Sequence, residues 1–329
     1  MRTALCDKLG IDVPIVLAAL GGAHSPELAA AVSNAGGLGM LPLWGVDIDT
    51  LRRDIRATQA LTSRPFAVNL NVGFPQEERL AVCLEEGVKV ISFFWADPSK
   101  LVPVVKAAGA TVLHTVANAA DARRAVDCGV DIIVAQGWEA GGHVRGTVAT
   151  MALVPAVVDA VGDVPVVAAG GIADGRGLAA ALALGAAGAW IGTRFLASEE
   201  VRIHPEYQRR LLVATENDTA WSEDLFQIGW PDAPHRVLRN STVRAWEAAG
   251  RPPMGSRPGE GDILATSPTR GDLVRYRSLT VSPEISGDVE ALCMWSGQSV
   301  GLVRKVQPAA EIVGEIVADA RAILTRLGR

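Results

Sequence analysis

The sequence predicts a (β/α)8 TIM barrel with a cap region inserted between the eighth strand and the last helix. Two observations predict the barrel. Eight short apolar runs lie between residues 13 and 191, and each of the first seven is followed by a helical stretch before the next begins. The runs also lack polar–apolar alternation, as strands do when buried on both faces in a parallel sheet covered by helices. Eight such units close into a barrel. The cap is predicted by a change of character after the eighth run, where prolines and tryptophans accumulate before helical periodicity resumes near residue 308.

The first strand candidate is Val13–Ala18. Ser25 can then cap a helix with Pro26 in its first turn, and Gly36-Gly37 can end it. The remaining strands are Leu38–Leu41, Phe66–Leu70, Val90–Phe94, Thr111–Val116, Asp131–Ala135, Val164–Ala168 and Ala189–Ile191. In Pro308–Leu324, apolar residues recur at Ile312, Val313, Ile316, Val317, Ala320, Ile323 and Leu324, a helix with one buried face. This is the eighth barrel helix, displaced from its strand. Residues 1–196 and 307–329 therefore form the barrel and 197–306 the cap. The cap holds Pro231, Pro234, Pro252, Pro253, Pro258 and Pro268, with Trp221, Trp230 and Trp246. It lies over the C-terminal mouth, where barrel active sites sit. A lid shaping a substrate pocket, a packing extension and a homo-oligomer contact all suit it.

Charge and composition narrow the function. The net charge is −5, from 31 basic and 36 acidic residues with no basic block, which argues against nucleic acid and anionic membrane as partners. Cys6, Cys83, Cys128 and Cys293 are scattered without a Cys-x-x-Cys pair, so neither a disulfide framework nor a zinc site is expected and a reducing cytoplasm fits. No basic segment leads into an apolar core near the N-terminus, so no leader is expected. The longest Ala/Gly-rich apolar run, Gly177–Gly192, is short for a bilayer and is bracketed by Arg176 and Arg194. No Gly-x-Gly-x-x-Gly follows the first strand, and no Gly-Lys-Ser/Thr phosphate loop occurs. His24, His114, His143, His204 and His235 lack metal-ligand spacing, so no metal is expected. The five lysines avoid strand C-termini, which removes a Schiff-base mechanism.

The most informative stretch is Gln136–Gly146, QGWEAGGHVRG, directly after the sixth strand. Its glycines, Gly141 and Gly142 among them, let the backbone pass close to a ligand while His143 points an imidazole at it. An imidazole titrates near neutrality, which suits proton transfer. Gly170-Gly171 and Gly192-Thr193 end the seventh and eighth strands, where backbone amides of this fold hold phosphate. Because the chain offers few reactive groups of its own, that phosphate is assigned to a cofactor. His24 lies in the first strand–helix loop, within reach of substrate, though a solvated loop residue is its plainer reading. His114 reads as core and His235 as a loop residue. Phe94 and Trp95 end the fourth strand and can line an apolar pocket, whereas Phe93 reads as packing.

These motifs together resemble the nitronate monooxygenase family of FMN-binding (β/α)8 barrels. The resemblance is carried by SPELAAAVSNAGGLG (Ser25–Gly39), FAVNLNV (Phe66–Val72), VAQGWEAGGHVRG (Val134–Gly146), AAGGIADGRGLAAALALGAAGAWIGTRF (Ala168–Phe195) and SGQSVGLVRKVQPAAE (Ser296–Glu311). It implies FMN across the barrel mouth, with the backbone of Ala18, Ala19, Leu20 and Gly21 against the isoalloxazine. Asn69 and Gln136 would bond the ring or ribityl chain, and Gly170, Gly171, Gly192 and Thr193 the phosphate. His143 would take a proton from a nitroalkane or hydrogen-bond a nitronate, with O2 as co-substrate and a carbonyl compound and nitrite as products. Where many relatives read Pro-Met-Ala-Gly after the first strand, this chain has Ala19-Leu20-Gly21-Gly22, which preserves backbone contact only. The same Glu-Ala-Gly-Gly-His loop occurs in flavin-dependent enoyl-acyl-carrier-protein reductases. An NAD(P)H-dependent reductase of quinones or enoyl thioesters is therefore the alternative.

Overall fold

The computed structural model describes residues 1–328. Eight parallel strands make one sheet: β1 Ile15–Leu17, β2 Gly39–Pro42, β3 Phe66–Asn71, β4 Val90–Phe94, β5 Thr111–Val116, β6 Ile132–Gln136, β7 Val166–Ala169 and β8 Gly188–Ile191. Each expected strand is present, with its ends moved by two residues or fewer. Their order around the sheet is β1-β8-β7-β6-β5-β4-β3-β2. A parallel bridge between Val16 and Leu38 closes it into a TIM barrel. The strand residues are almost all buried, because the barrel interior takes one set of side chains and the helical ring the other.

Helix starts follow the local chemistry of the chain. Ser25, Asp47, Asn118 and Asp174 each accept a backbone N–H of the helix they precede. The last helix, Ala309–Arg326, packs against the helices Gly175–Ala183 and Pro26–Asn34, taking the eighth place in the ring. Ile312, Val313, Ile316, Val317 and Ala320 are buried there, while Ile323 and Leu324 are half-buried near the fraying end. A short helix at Ala4–Leu9, unread in the sequence, buries Leu5, Cys6 and Leu9 before β1.

Between β8 and the last helix the chain builds two small sheets and its own buried clusters. One cluster includes Tyr207, Leu211 and Met294, and another Phe226, Val243 and Tyr276. The chain's exit and return are adjacent, since Ser198 bridges Gln307. One cap sheet pairs Thr219–Ser222 with His235–Leu238 and then with Gly142–His143, which belongs to the loop after β6. That segment is a strand rather than the free loop expected, because the cap supplies it with an antiparallel partner. The barrel's most glycine-rich loop is thereby fixed from both sides.

Candidate active site

A cavity of about 570 Å3 opens at the C-terminal mouth between barrel and cap. Ala18, Ala19, Leu20 and Gly21 line it from the loop after β1, and Asn69 and Gln136 from β3 and β6. Gly141, Gly142 and His143 line it from the loop after β6, and Gly170, Gly171, Gly192 and Thr193 from the ends of β7 and β8. His24 and Phe94 also reach it. Trp95 is not among the lining residues. Its ring packs against His143 at 5.9 Å and Trp230 at 5.1 Å.

At one part of this wall the backbone is left open. The N–H groups of Gly170, Gly171, Gly192 and Thr193 donate to no acceptor among the described residues. Gly170 and Gly171 hold φ of 98° and 75°, a region that disfavours any side chain. A Cβ on Gly170 would also stand 2.9 Å from the Gly137 carbonyl oxygen. The nearby Arg194 turns away, donating to Gln307 Oε1 at 2.7 Å. Four unpaired amides without a guanidinium suit an anion held by backbone dipoles, and they fit the phosphate of FMN. Asn69 spends its Nδ2 on Ser92 Oγ at 3.1 Å, and its Oδ1 has no partner among the described residues. Gln136 Nε2 donates to the His143 carbonyl at 3.1 Å and so orients the loop.

The loop is fixed by three further contacts. The Glu139 carboxylate accepts Thr150 N at 2.9 Å and Thr150 Oγ1 at 3.0 Å. Buried Arg236 lies 4.5 Å over the Trp138 ring and donates to the Trp138 carbonyl at 2.9 Å. Burial brings Arg236 down to about 10, so it remains a cation at neutral pH. The Gln298 N–H from the cap donates to the Glu139 carbonyl at 3.0 Å.

His143 therefore sits in a fixed frame. Its imidazole stacks on Trp230 with ring centres 3.7 Å apart and planes 29° from parallel, and Trp295 is 4.9 Å away. Nε2 is buried without a hydrogen-bond partner. Burial, and secondarily the neighbouring His235, hold His143 well below the ordinary histidine range. The ring is neutral at neutral pH and free to accept a proton.

His235, expected in a loop, is a fully buried strand residue registered opposite His143. Its Nε2 accepts the Phe226 N–H at 3.1 Å, so Nδ1 carries the proton and donates to the Ala233 carbonyl at 2.8 Å. Burial holds it at about 4, so it stays neutral. His114 is buried with Nδ1 3.2 Å from the Phe93 carbonyl. His24 is mostly buried rather than solvated, its Nε2 3.6 Å from the Asp54 carboxylate.

Two cap residues were not singled out by sequence reasoning. Trp230 contacts Trp44, Phe74, Phe94, Trp95 and His143, joining rings that end β4 or follow β2, β3, β4 and β6. Thr280 Oγ1 donates to the Gly21 carbonyl and accepts Trp295 Nε1 at 3.1 Å, tying cap to barrel. The only signal was the clustering of tryptophans in the insertion, which does not say which one turns inward.

A barrel whose mouth joins an amide-lined anion cradle to a neutral histidine among aromatic rings has the form of an enzyme active site. The nitronate monooxygenase family model matches residues 2–78 and 68–319, and the chain belongs to that family. It is 35% identical to the (3aS,4S,5R,7aS)-5-hydroxy-7a-methyl-1-oxo-octahydro-1H-indene-4-carboxyl-CoA dehydrogenase of Rhodococcus jostii, over 100% of this chain and 98% of that protein. It is 33% identical to a nitronate monooxygenase of Paraburkholderia phytofirmans, over 99% and 97% respectively. The structure of FabK from Thermotoga maritima superposes with a TM-score of 0.85 at 36% identity, covering 99% of this chain and 98% of that one. No helix among the described residues is long and apolar enough to cross a membrane.

Proposed function

We propose that this chain is an FMN-dependent oxidoreductase acting on carbon acids, with alkyl nitronates oxidised by O2 to carbonyl compounds and nitrite as its first substrate class. The observation that carries this reading is the neutral, aromatic-packed His143 in the same cavity as the four open amides. Bound with its phosphate on those amides, FMN supplies an electron acceptor that oxygen can reoxidise.

The residues of the chain supply the rest. Neutral His143 takes the proton from the carbon next to the nitro group of a nitroalkane. Toward a nitronate, already an anion, its contribution is electrostatic. Charging a half-buried imidazole whose Nε2 is shielded from water is costly, and the face of Trp230 offsets part of that cost by cation–π attraction. Gln136, Glu139 and Arg236 hold the loop, while Trp230 and Trp295 keep water from the ring.

A second reading, redox chemistry on an acyl thioester, is favoured by the CoA dehydrogenase relative and by FabK. The same His143 would then act on the carbon beside a thioester carbonyl. The test is anaerobic mixing of FMN-loaded protein with an alkyl nitronate, following flavin absorbance, with NADH and NADPH in parallel. Bleaching by the nitronate alone is the expected result. Bleaching only by a reduced nicotinamide overturns the first reading in favour of the reductase.

A further inference from the structure

The anion cradle accounts for one part of the cavity wall, and a chemically different set of residues contributes to another. Arg53 comes from the helix Ile48–Leu61, Arg202 from the segment entering the cap, and Arg270 from the turn between Ile263–Ser267 and Gly271–Val274. Three separate elements thus contribute an arginine to the lining of one opening, in a chain whose net charge is −5.

Their pairing sets them apart from neighbours such as Arg52 and Arg56, which are held by Glu86. Arg202 and Arg270 are exposed and form no ion pair or side-chain hydrogen bond among the described residues. Arg53 reaches only Asp54, at 3.4 Å. The cavity's carboxylates are Glu284 and Asp54, and the latter also faces His24. Arg202 is anchored by its backbone, which donates to the Ala23 carbonyl at 3.0 Å beside the loop after β1. Unpaired guanidinium groups at a mouth suit phosphate, since their planar donor fork matches its oxygens and no ion pair has to be broken first.

We propose that Arg202 and Arg270, with Arg53, form a subsite for the phosphorylated nucleotide tail of a co-substrate. That tail belongs either to a CoA ester or to a reduced nicotinamide nucleotide. The inference rests on the flavin-dependent redox reading, because it gives the inner amides to FMN and leaves the outer arginines for the reaction partner. A small nitronate has no group for them.

The experiment is a calorimetric titration of FMN-loaded protein with CoA, with pantetheine (which lacks the nucleotide) and with NADPH. The parent is compared with the Arg202→Ala/Arg270→Ala double variant and with Arg270→Glu, after checking that FMN content and circular dichroism are unchanged. The dissociation constant for CoA or NADPH should rise about tenfold in the double variant and further in Arg270→Glu, the size expected for losing charge-assisted bonds at an exposed site. Pantetheine binding should not move. A response to CoA alone assigns the tail to a thioester, and to NADPH alone to a nicotinamide. A parent that binds neither up to millimolar concentration, or variants that bind as the parent does, overturns the subsite. The two readings fail separately. Absent flavin bleaching with arginine-dependent nucleotide binding removes the redox proposal and keeps the subsite, and bleaching with unchanged variants does the reverse.

Discussion

At His143, Trp230 exerts two opposed effects on the imidazole. It excludes water, which disfavours the charged ring, and its face attracts a cation, which favours it. Desolvation is worth up to about 3–5 pKa units for a fully buried base and less for the half-buried His143 ring, whereas a cation–π contact gives roughly 0.5–2 kcal/mol. Exclusion of water wins, in keeping with burial as the larger cause of the lowered value. A base must be unprotonated, so kcat/KM on a neutral nitroalkane should stay flat from pH 8 down through the usual histidine range and fall only below it. Replacing Trp230 with Leu admits water and should move that acid limb upward, toward about 6.5. His143→Asn should keep FMN, lose about a hundredfold on the neutral nitroalkane and lose the limb itself. A limb unmoved in Trp230→Leu would show that the stack does not set the proton affinity.

The loop after β6 shows how differently two adjacent glycines serve one element. On Gly141, a Cβ would lie 2.3 Å from Gly297 N and 2.4 Å from the Ser296 carbonyl carbon, so alanine there must push the cap backbone off the barrel. Around Gly142 there is open space, and its alanine pays only for a φ of 72°. Gly142→Ala should cost about 1–2 kcal/mol, and Gly141→Ala at least the ~3 kcal/mol at the upper end of ordinary overpacking. Thermal unfolding and FMN retention would measure both, and equal losses would mean that the cap contact at Gly297 is unimportant. The sequence makes such glycines conspicuous without separating their roles, because one is constrained by its own torsion and the other by a segment more than 150 positions away. The barrel strands were legible because apolar runs and turn residues are local signals. The pairing of Gly142–His143 with His235–Leu238 was not, since a two-residue strand has no periodicity and its partner lies in the cap. For the same reason His143 could be read from its loop, while Trp230 and Thr280 required the fold that brings them to it.

Across the whole molecule, buried neutral histidines tie stability to pH. His114 in the barrel and His235 in the cap are both held at about 4 by burial, against about 6.5 in an unfolded chain. Above pH 6.5 both states carry neutral rings and the two histidines add no pH dependence. Between 6.5 and 4 the unfolded chain takes up protons that the folded one refuses, so stability falls as pH falls. Each ring accounts for about 3 kcal/mol of loss by pH 4, and His143 acts in the same direction. Because barrel and cap each contain such a ring, and the Gly142–His143 strand joins them, acid should weaken both parts together. The urea midpoint, measured with FMN load held constant, should be level from pH 8 to 6.5 and then drop steadily to 4.5. His114→Met removes one titrating ring and should reduce that slope while lowering the midpoint at neutral pH. A midpoint that stays level from 6.5 to 4.5, or an unchanged slope in His114→Met, would mean that these rings accept protons without unfolding the chain around them.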